Sequence, residues 1–151
     1  MVAINTLGTA KSNRLAIRQF LKQEVDKAWG SRGRIVNVSS CAGCVAFPQE
    51  VAYSATKASI NHLTRAGAMD HAKDYININC VAPGTVATGM ARANIENKDI
   101  YALMKKATPW PRIGTAEDIA GVVLFLCSPQ SQWMTGQVLA VDGGMTLGVA
   151  P

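Results

Sequence analysis

The residues best suited to chemistry are a tyrosine and a lysine four positions apart, Tyr53 and Lys57, in a run of small and apolar residues that predicts a helix. Residues four apart share one face of a helix. A tyrosine hydroxyl has an ordinary pKa of about 10, and a nearby ammonium lowers that pKa by favouring the phenolate. Tyr53 could then exchange a proton with a carbonyl or alcohol. Because a bare Tyr-x-x-x-Lys is more often a simple surface pair, the neighbouring elements must decide.

A serine precedes this pair at the end of a predicted strand. Residues 34–38 form a short β-branched run without helical spacing, which predicts a buried strand, and Ser40 follows it closely. Open α/β sheets bind ligands at the carboxyl ends of their strands. Ser40 could therefore donate a hydrogen bond to the substrate oxygen on which Tyr53 acts.

The rest of the chain predicts helices and strands in alternation. Residues 2–29 place apolar side chains at helical spacing opposite Lys and Arg, which predicts one amphipathic helix ending at a Gly-containing turn. A second helix is predicted over residues 53–73, and further strands over residues 76–82 and 137–141. Strand, helix and strand in this order predict a parallel βαβ unit.

A helix start is predicted at Thr115, because its capping hydroxyl is followed three residues later by the acidic Asp118. The predicted buried face of this helix consists of Ile119, Val122, Val123 and Leu126.

Four motifs together resemble the short-chain dehydrogenase/reductase family, in its order and with its usual spacing. They are Ser40, Tyr53-Ser-Ala-Thr-Lys57, Asn79-Cys-Val-Ala-Pro83-Gly84 and Val141-Asp142-Gly143-Gly144. The resemblance covers residues 2–148. It implies an α/β fold with part of a Rossmann-type doubly wound parallel sheet, about three strands with flanking helices. It also implies an NAD(P)-dependent oxidoreductase that interconverts ketones and secondary alcohols.

The resemblance also implies roles for individual residues. Tyr53 would be the acid/base, Lys57 would lower its pKa and bind the nicotinamide ribose, and Ser40 would orient the carbonyl. Asn5, within Ile-Asn-Thr-Leu-Gly, would hold a water in the proton relay. Besides Tyr53 and Lys57, the implied cofactor contacts are Pro83, Gly84, Val86 and Thr88. From the residues alone, Gly84 is equally well explained by a tight turn.

The whole chain, residues 1–151, is expected to form a single incomplete Rossmann-type domain. Within it, residues 89–112 turn polar and then weakly helical, and by resemblance they form a substrate-covering lid. Trp110 fits a pocket wall or plain core packing equally well. The expected partners are a small carbonyl or alcohol substrate and, for the full-length form, further copies of the same chain.

One family feature does not occur in these 151 residues: the T-G-x-x-x-G-x-G turn that binds the cofactor pyrophosphate at a helix N-terminus. About four strands are expected to be absent, through either truncation or an internal start. The strand at 34–38 would then lack a neighbour and expose its edge. The alternative function is a catalytically inactive fragment that acts through association with another subunit.

Composition excludes several other classes of protein. The net charge is +5, but the basic residues are scattered, five of them along the first predicted helix, and form no aromatic-rich basic patch, which argues against a nucleic-acid partner. Because no apolar run reaches about 20 residues and no signal peptide is present, a cytoplasmic chain without membrane contact is expected. Its cysteines are expected to be reduced thiols. Cys41 and Cys44 lack the surroundings of a redox or zinc pair, and no metal is expected.

Overall fold

Three parallel strands position the candidate site: β1 (Gly33–Val38), β2 (Ile76–Pro83) and β3 (Val138–Val141). The computed structural model describes residues 1–91 and 95–148, so residues 92–94 of the expected lid and 149–151 of the domain lie outside the described residues. The strands lie in the order β1-β2-β3, with Val38 opposite Val81 and Cys80 opposite Val138. This arrangement confirms the α/β class and the three expected strands.

Helices flank the sheet. They are α1 (Thr9–Phe20), α2 (Val51–His71), α3 (Lys98–Lys106) and α4 (Ala116–Leu126). A π-helical segment, Ala3–Gly8, leads directly into α1, and a short 3₁₀ turn, Cys41–Gly43, follows β1. Since the strands alternate with helices and run parallel, their carboxyl ends meet at one edge of the sheet.

The first helix is shorter than the sequence predicted, because α1 ends at Phe20 and not near Trp29. Beyond it, the Asp26 side chain accepts hydrogen bonds from the backbone N–H groups of Ala28 and Trp29, which folds the chain into a turn. A short side chain that binds nearby backbone groups competes with helix formation in this way. The prediction of a helix over residues 2–29 was therefore wrong for the residues after Phe20.

The core lies between β2 and the helices α1 and α2. Ala68 of α2 packs against Ile76 and Ile78 of β2, all three buried, with Phe20 among the partly buried side chains around them. The Phe20 ring lies over Gly33, where a Cβ would collide with it. The glycine at the start of β1 therefore allows α1 to approach the sheet.

As expected, β1 is an edge strand in this structure, because it pairs only with β2 among the described strands. Its last residue, Val38, leaves 51% of its surface exposed. An unpaired parallel edge with an exposed apolar end is a surface onto which another strand can add.

The helix start at Thr115 is confirmed as a capping box: the backbone N–H of Thr115 donates to the Asp118 carboxylate at 2.7 Å. Asp118 also forms a bidentate ion pair with Arg112, whose Nη1 and Nη2 donate to the two carboxylate oxygens at 2.6 and 2.9 Å. This ion pair and the capping bonds hold the pKa of the Asp118 carboxyl well below its ordinary value. The predicted buried face is only partly confirmed, because Leu126 is buried while Ile119, Val122 and Val123 are half-buried.

Within residues 1–91 and 95–148, no helix is both long enough and apolar enough to cross a membrane.

Candidate active site

Ser40 lies directly after β1, in the turn at the carboxyl end of the sheet. Its backbone is extended, and its hydroxyl oxygen accepts a hydrogen bond from the Ala42 N–H at 3.2 Å. The Ser40 carbonyl accepts from the Gly43 N–H at 2.9 Å, which closes the turn. A hydroxyl has one proton to give as well as lone pairs that accept. The turn therefore orients the Ser40 hydroxyl oxygen. Its proton is directed to the Cys41 sulfur at 3.9 Å, a weak contact that a stronger acceptor can replace.

Tyr53 and Lys57 both lie in the first half of α2, confirming that the two side chains belong to one helix. The Lys57 Nζ is 5.7 Å from the centre of the Tyr53 ring, a cation–π distance. The same ammonium donates to the Val38 carbonyl at 3.2 Å, at the end of β1. The structure therefore brings the tyrosine, the lysine and the end of the serine-bearing strand together.

Burial lowers the pKa of the Lys57 ammonium, because a charged group loses hydration when it is partly enclosed. The Val38 carbonyl accepts a hydrogen bond from one of the three N–H donors of this ammonium. The remaining donors can serve hydroxyl groups of a bound molecule.

Asn5 lies in the π-helical segment before α1, and its side-chain amide donates to the Thr56 hydroxyl at 3.0 Å. Thr56 immediately precedes Lys57, and the adjacent Thr6 shares a hydrogen bond of 2.8 Å with Ser59. These bonds join the start of the chain to the face of α2 near the tyrosine–lysine pair. Short π-helical insertions of this kind are frequent at functional sites.

The loop after β2 carries the four residues that the resemblance assigned to cofactor contact. Pro83 is the last residue of β2 and pairs with Val141, while the Gly84 N–H donates to the Val141 carbonyl at 3.1 Å. Val86 forms a bridge with Gly114, and Thr88 is exposed. A Cβ at Gly84 would lie 2.7 Å from the Cα of Asp142, so the glycine permits close contact with the turn after β3.

A shallow cavity of about 210 Å³ adjoins this loop. Its lining residues include Thr85, Trp110, Arg112 and Asp142. Trp110 is more than half exposed, and its backbone N–H donates to the Gly143 carbonyl at 2.9 Å. Of the two alternatives left open by the sequence, Trp110 lines a cavity and is not a core residue.

The two cysteines of the turn have different surroundings. Cys41 is buried with its Sγ 3.6 Å from the Met145 sulfur, and burial raises the pKa of its thiol. Cys44 is exposed, and both thiols are free. In the described part of the chain, no group of three or more His, Cys, Asp or Glu side chains is arranged to hold a metal ion.

Sequence reasoning missed two polar residues that fix the serine turn. The Ser39 hydroxyl donates to the Lys57 carbonyl at 2.9 Å, and the Asn61 amide donates to the Gly43 carbonyl at 2.9 Å. The only available signal was spacing: Asn61 follows Lys57 by four residues, as Lys57 follows Tyr53, so all three share one face of α2.

Comparison with known proteins agrees with this geometry. A family profile described as "Enoyl-(Acyl carrier protein) reductase" matches residues 1–146. A tropinone reductase homolog of Arabidopsis thaliana is 42% identical over 115 residues, covering 76% of this chain and 44% of that protein. The 2-(S)-hydroxypropyl-CoM dehydrogenase 3 of Xanthobacter autotrophicus is 38% identical over 150 residues, covering 97% of this chain and 56% of that protein.

Among solved structures, a gluconate 5-dehydrogenase from Burkholderia cenocepacia in complex with NADP and tartrate superimposes with a TM-score of 0.89 at 30% identity. The superposition covers 99% of this chain and 56% of that one. The chain belongs to the short-chain dehydrogenase/reductase family. It spans about half the length of the curated relatives it matches.

Proposed function

We propose that the protein is an NAD(P)-dependent oxidoreductase that interconverts a ketone and a secondary alcohol by hydride transfer. The observation that carries the proposal is the contact of Lys57 with both the Tyr53 ring and the carboxyl end of β1, the strand that leads to Ser40. Lys57 lies 5.7 Å from the Tyr53 ring and is bonded to Val38, two residues before Ser40. An acid/base, a cation that tunes it and a hydroxyl donor are the groups that carbonyl reduction requires.

Tyr53 is the proposed acid/base. In the reducing direction its hydroxyl gives a proton to the carbonyl oxygen while a hydride, with its electron pair, reaches the carbonyl carbon. The phenolate that remains on Tyr53 is stabilised by the Lys57 ammonium, whose Nζ lies 5.7 Å from the centre of the Tyr53 ring. Ser40 holds the substrate oxygen by donating its hydroxyl proton, and Asn5 is proposed to complete the proton path beside Thr56.

The residues present fit the nicotinamide end of a dinucleotide, which supplies or accepts the hydride when bound. Lys57 has N–H donors beyond the one used by Val38, suited to the hydroxyls of a ribose. The loop formed by Pro83, Gly84, Val86 and Thr88 follows β2 on the side of the sheet where such folds bind ligands. NAD and NADP share this end, so the proposal names both.

The test is carbonyl reduction by the longest gene product that contains these residues, assayed with NADH and with NADPH against a panel of ketones. We expect consumption of one cofactor, and loss of all but a few per cent of the rate in Tyr53→Phe, since the variant lacks only the proton-transferring hydroxyl. Dinucleotide affinity, measured by calorimetry, should change little.

The matched control is Tyr75→Phe. Tyr75 is an exposed tyrosine between α2 and β2, at the opposite end of the sheet from Ser40. Removal of its hydroxyl should therefore leave the rate of ketone reduction unchanged. Full activity in Tyr53→Phe, or no reduction of any ketone with either cofactor, would overturn the proposal.

A second candidate function is association with another subunit, which we propose because large apolar side chains are exposed on two neighbouring elements. Ile4, Leu7 and Leu15 are exposed at the start of the chain, and Val51 and Met69 are exposed on α2. Burial of these apolar side chains between copies of the chain would stabilise a homo-oligomer. Light scattering at increasing protein concentration tests this: a monomer throughout would reject it, and an oligomer without ketone reduction would favour it over catalysis.

A further inference from the structure

We infer that Asn61 is a positioning residue: its side-chain amide fixes the turn after Ser40, and so the direction of the Ser40 hydroxyl relative to Tyr53. The inference rests on the proposed function, because it assigns Asn61 an effect on the same reaction. Asn61 is 4% exposed, in the middle of α2, and its side chain reaches two other elements.

Both ends of the Asn61 amide are occupied. The Nδ2 group donates to the Gly43 carbonyl at 2.9 Å and approaches the Cys44 sulfur at 3.7 Å. The Oδ1 atom accepts from the thiol of Cys80, on β2, at 3.8 Å. One buried side chain therefore connects the serine turn, α2 and the central strand.

The connection reaches the Ser40 hydroxyl through two hydrogen bonds of the turn. Gly43, whose carbonyl Asn61 holds, donates its N–H to the Ser40 carbonyl at 2.9 Å. Ala42, between them, donates its N–H to the Ser40 hydroxyl oxygen at 3.2 Å. If the turn moves, the donor that orients Ser40 Oγ moves with it.

A second hydrogen bond to α2 holds the chain on the other side of Ser40. The buried Ser39 hydroxyl donates to the Lys57 carbonyl, so α2 holds the chain both before and after the catalytic serine. Gly43, which Asn61 holds, also packs its backbone directly on α2: a Cβ there would lie 2.7 Å from the carbonyl carbon of Lys57. The turn has one close-packed position on the helix, and Asn61 fixes its last carbonyl in that position.

The matched control for Asn61 is Thr64, three residues further along α2. Thr64 is 0% exposed, and its hydroxyl accepts from the Asn37 amide of β1 at 2.9 Å. Thr64→Val therefore removes a buried polar tie between α2 and the sheet that has no bond to the serine turn. A general loss of stability should appear in both variants, whereas a loss of Ser40 positioning should appear only in Asn61→Leu.

The first measurement is amide hydrogen exchange of the whole protein, which requires no activity. In Asn61→Leu we expect the amides of Ala42 and Cys44 to exchange about tenfold faster or more than in Thr64→Val, because the turn opens locally. Amides of β2 should change alike in the two variants. Equal exchange of the turn amides in both variants would overturn the inference.

The second measurement is kinetic. A displacement of about 1 Å in a catalytic group can cost on the order of 100-fold in rate, so kcat in Asn61→Leu should fall 10- to 100-fold with KM for the dinucleotide within about twofold. The effect should largely vanish in a Ser40→Ala background, because Asn61 acts through Ser40. An equal fold-loss in both backgrounds would contradict the inference.

Gly43→Ala keeps Asn61 but forces the turn off the helix, and it should reproduce both results if Asn61→Leu folds poorly. Accelerated exchange of Ala42 in Gly43→Ala shows that the position of the turn on α2 protects this amide, a step that the inference requires, and unchanged exchange overturns the inference. If the unmodified protein reduces no ketone, the proposed function fails, while the exchange experiment still decides whether Asn61 holds the turn.

Discussion

The helices α2 and α3 differ sharply in how they are attached to the rest of the protein. On α2, the buried residues include the polar Thr56, Asn61 and Thr64 beside Ile60 and Ala68. On α3, all of which the structure describes, no residue is fully buried, and the apolar Leu103 leaves 68% of its surface exposed. The proposed acid/base helix is thus anchored by buried side chains, whereas the helix of the expected lid buries none of its own.

Hydrogen-bond partners explain the difference. Buried polar side chains are stable only where a fixed partner meets them, and each of the three on α2 has one. Thr56 bonds Asn5, Asn61 bonds Gly43, and Thr64 bonds Asn37. Such bonds specify both distance and direction, which apolar contacts do not. A proton-transferring group requires that precision, whereas a surface that covers different substrates does not.

Among substitutions on α2, the largest expected effect is at Lys57. Lys57→Met keeps most of the side-chain volume but removes the ammonium that we propose stabilises the Tyr53 phenolate and binds the nicotinamide ribose. We expect kcat/KM for the ketone to fall by on the order of 100-fold and the Kd of the dinucleotide to rise. Steady-state kinetics with calorimetry would measure both, and an unchanged Kd would remove Lys57 from the proposed cofactor site.

The same variant has a pH signature. Burial lowers the pKa of Lys57 in the folded protein below its ordinary 10.5, so the unfolded chain binds this proton more tightly. The contribution of Lys57 to the free energy of unfolding therefore rises with pH between the lowered pKa and 10.5. Urea unfolding at several alkaline pH values should show a steeper rise in the parent protein than in Lys57→Met.

An effect of intermediate size is expected at Thr64. Thr64→Val preserves shape but leaves the buried amide of Asn37 without its 2.9 Å acceptor. An unsatisfied buried donor costs about 1–3 kcal/mol, so the free energy of unfolding should fall by that amount. Urea denaturation measures it, and a loss below about 0.5 kcal/mol, the ordinary range for surface changes, would show that α2 is not held by its polar bonds.

The sequence predicted the strands, α2, and the proximity of Tyr53, Lys57 and the end of β1, because each depends on a local period or on the rule that parallel strands end at one edge. It could not predict that α1 ends at Phe20, since the competing turn depends on one side chain, Asp26, binding two backbone N–H groups. A turn and a further helical segment of similar free energy cannot be distinguished from the spacing of the apolar residues.

Nor could the sequence predict the role of Asn61. An asparagine within a helix is ordinarily a weak helix former on the surface, and its burial follows from how closely the serine turn approaches α2 at Gly43. That approach is a contact between residues 18 positions apart. The spacing from Lys57 places Asn61 on the right face of α2, but only tertiary packing decides that its side chain meets the serine turn.

The smallest expected effect is at Leu103 on α3. Because this side chain is mostly exposed, Leu103→Ala should change the free energy of unfolding by no more than about 0.5 kcal/mol, and alanine favours the helix slightly. If residues 89–112 cover the substrate, the variant should raise KM for the ketone a few-fold with kcat unchanged, since only uniform binding is lost. Urea denaturation and steady-state kinetics measure the two quantities. A destabilisation above about 1 kcal/mol would mean that α3 is packed as firmly as α2, and the contrast between a fixed catalytic helix and a loosely attached lid helix would fail.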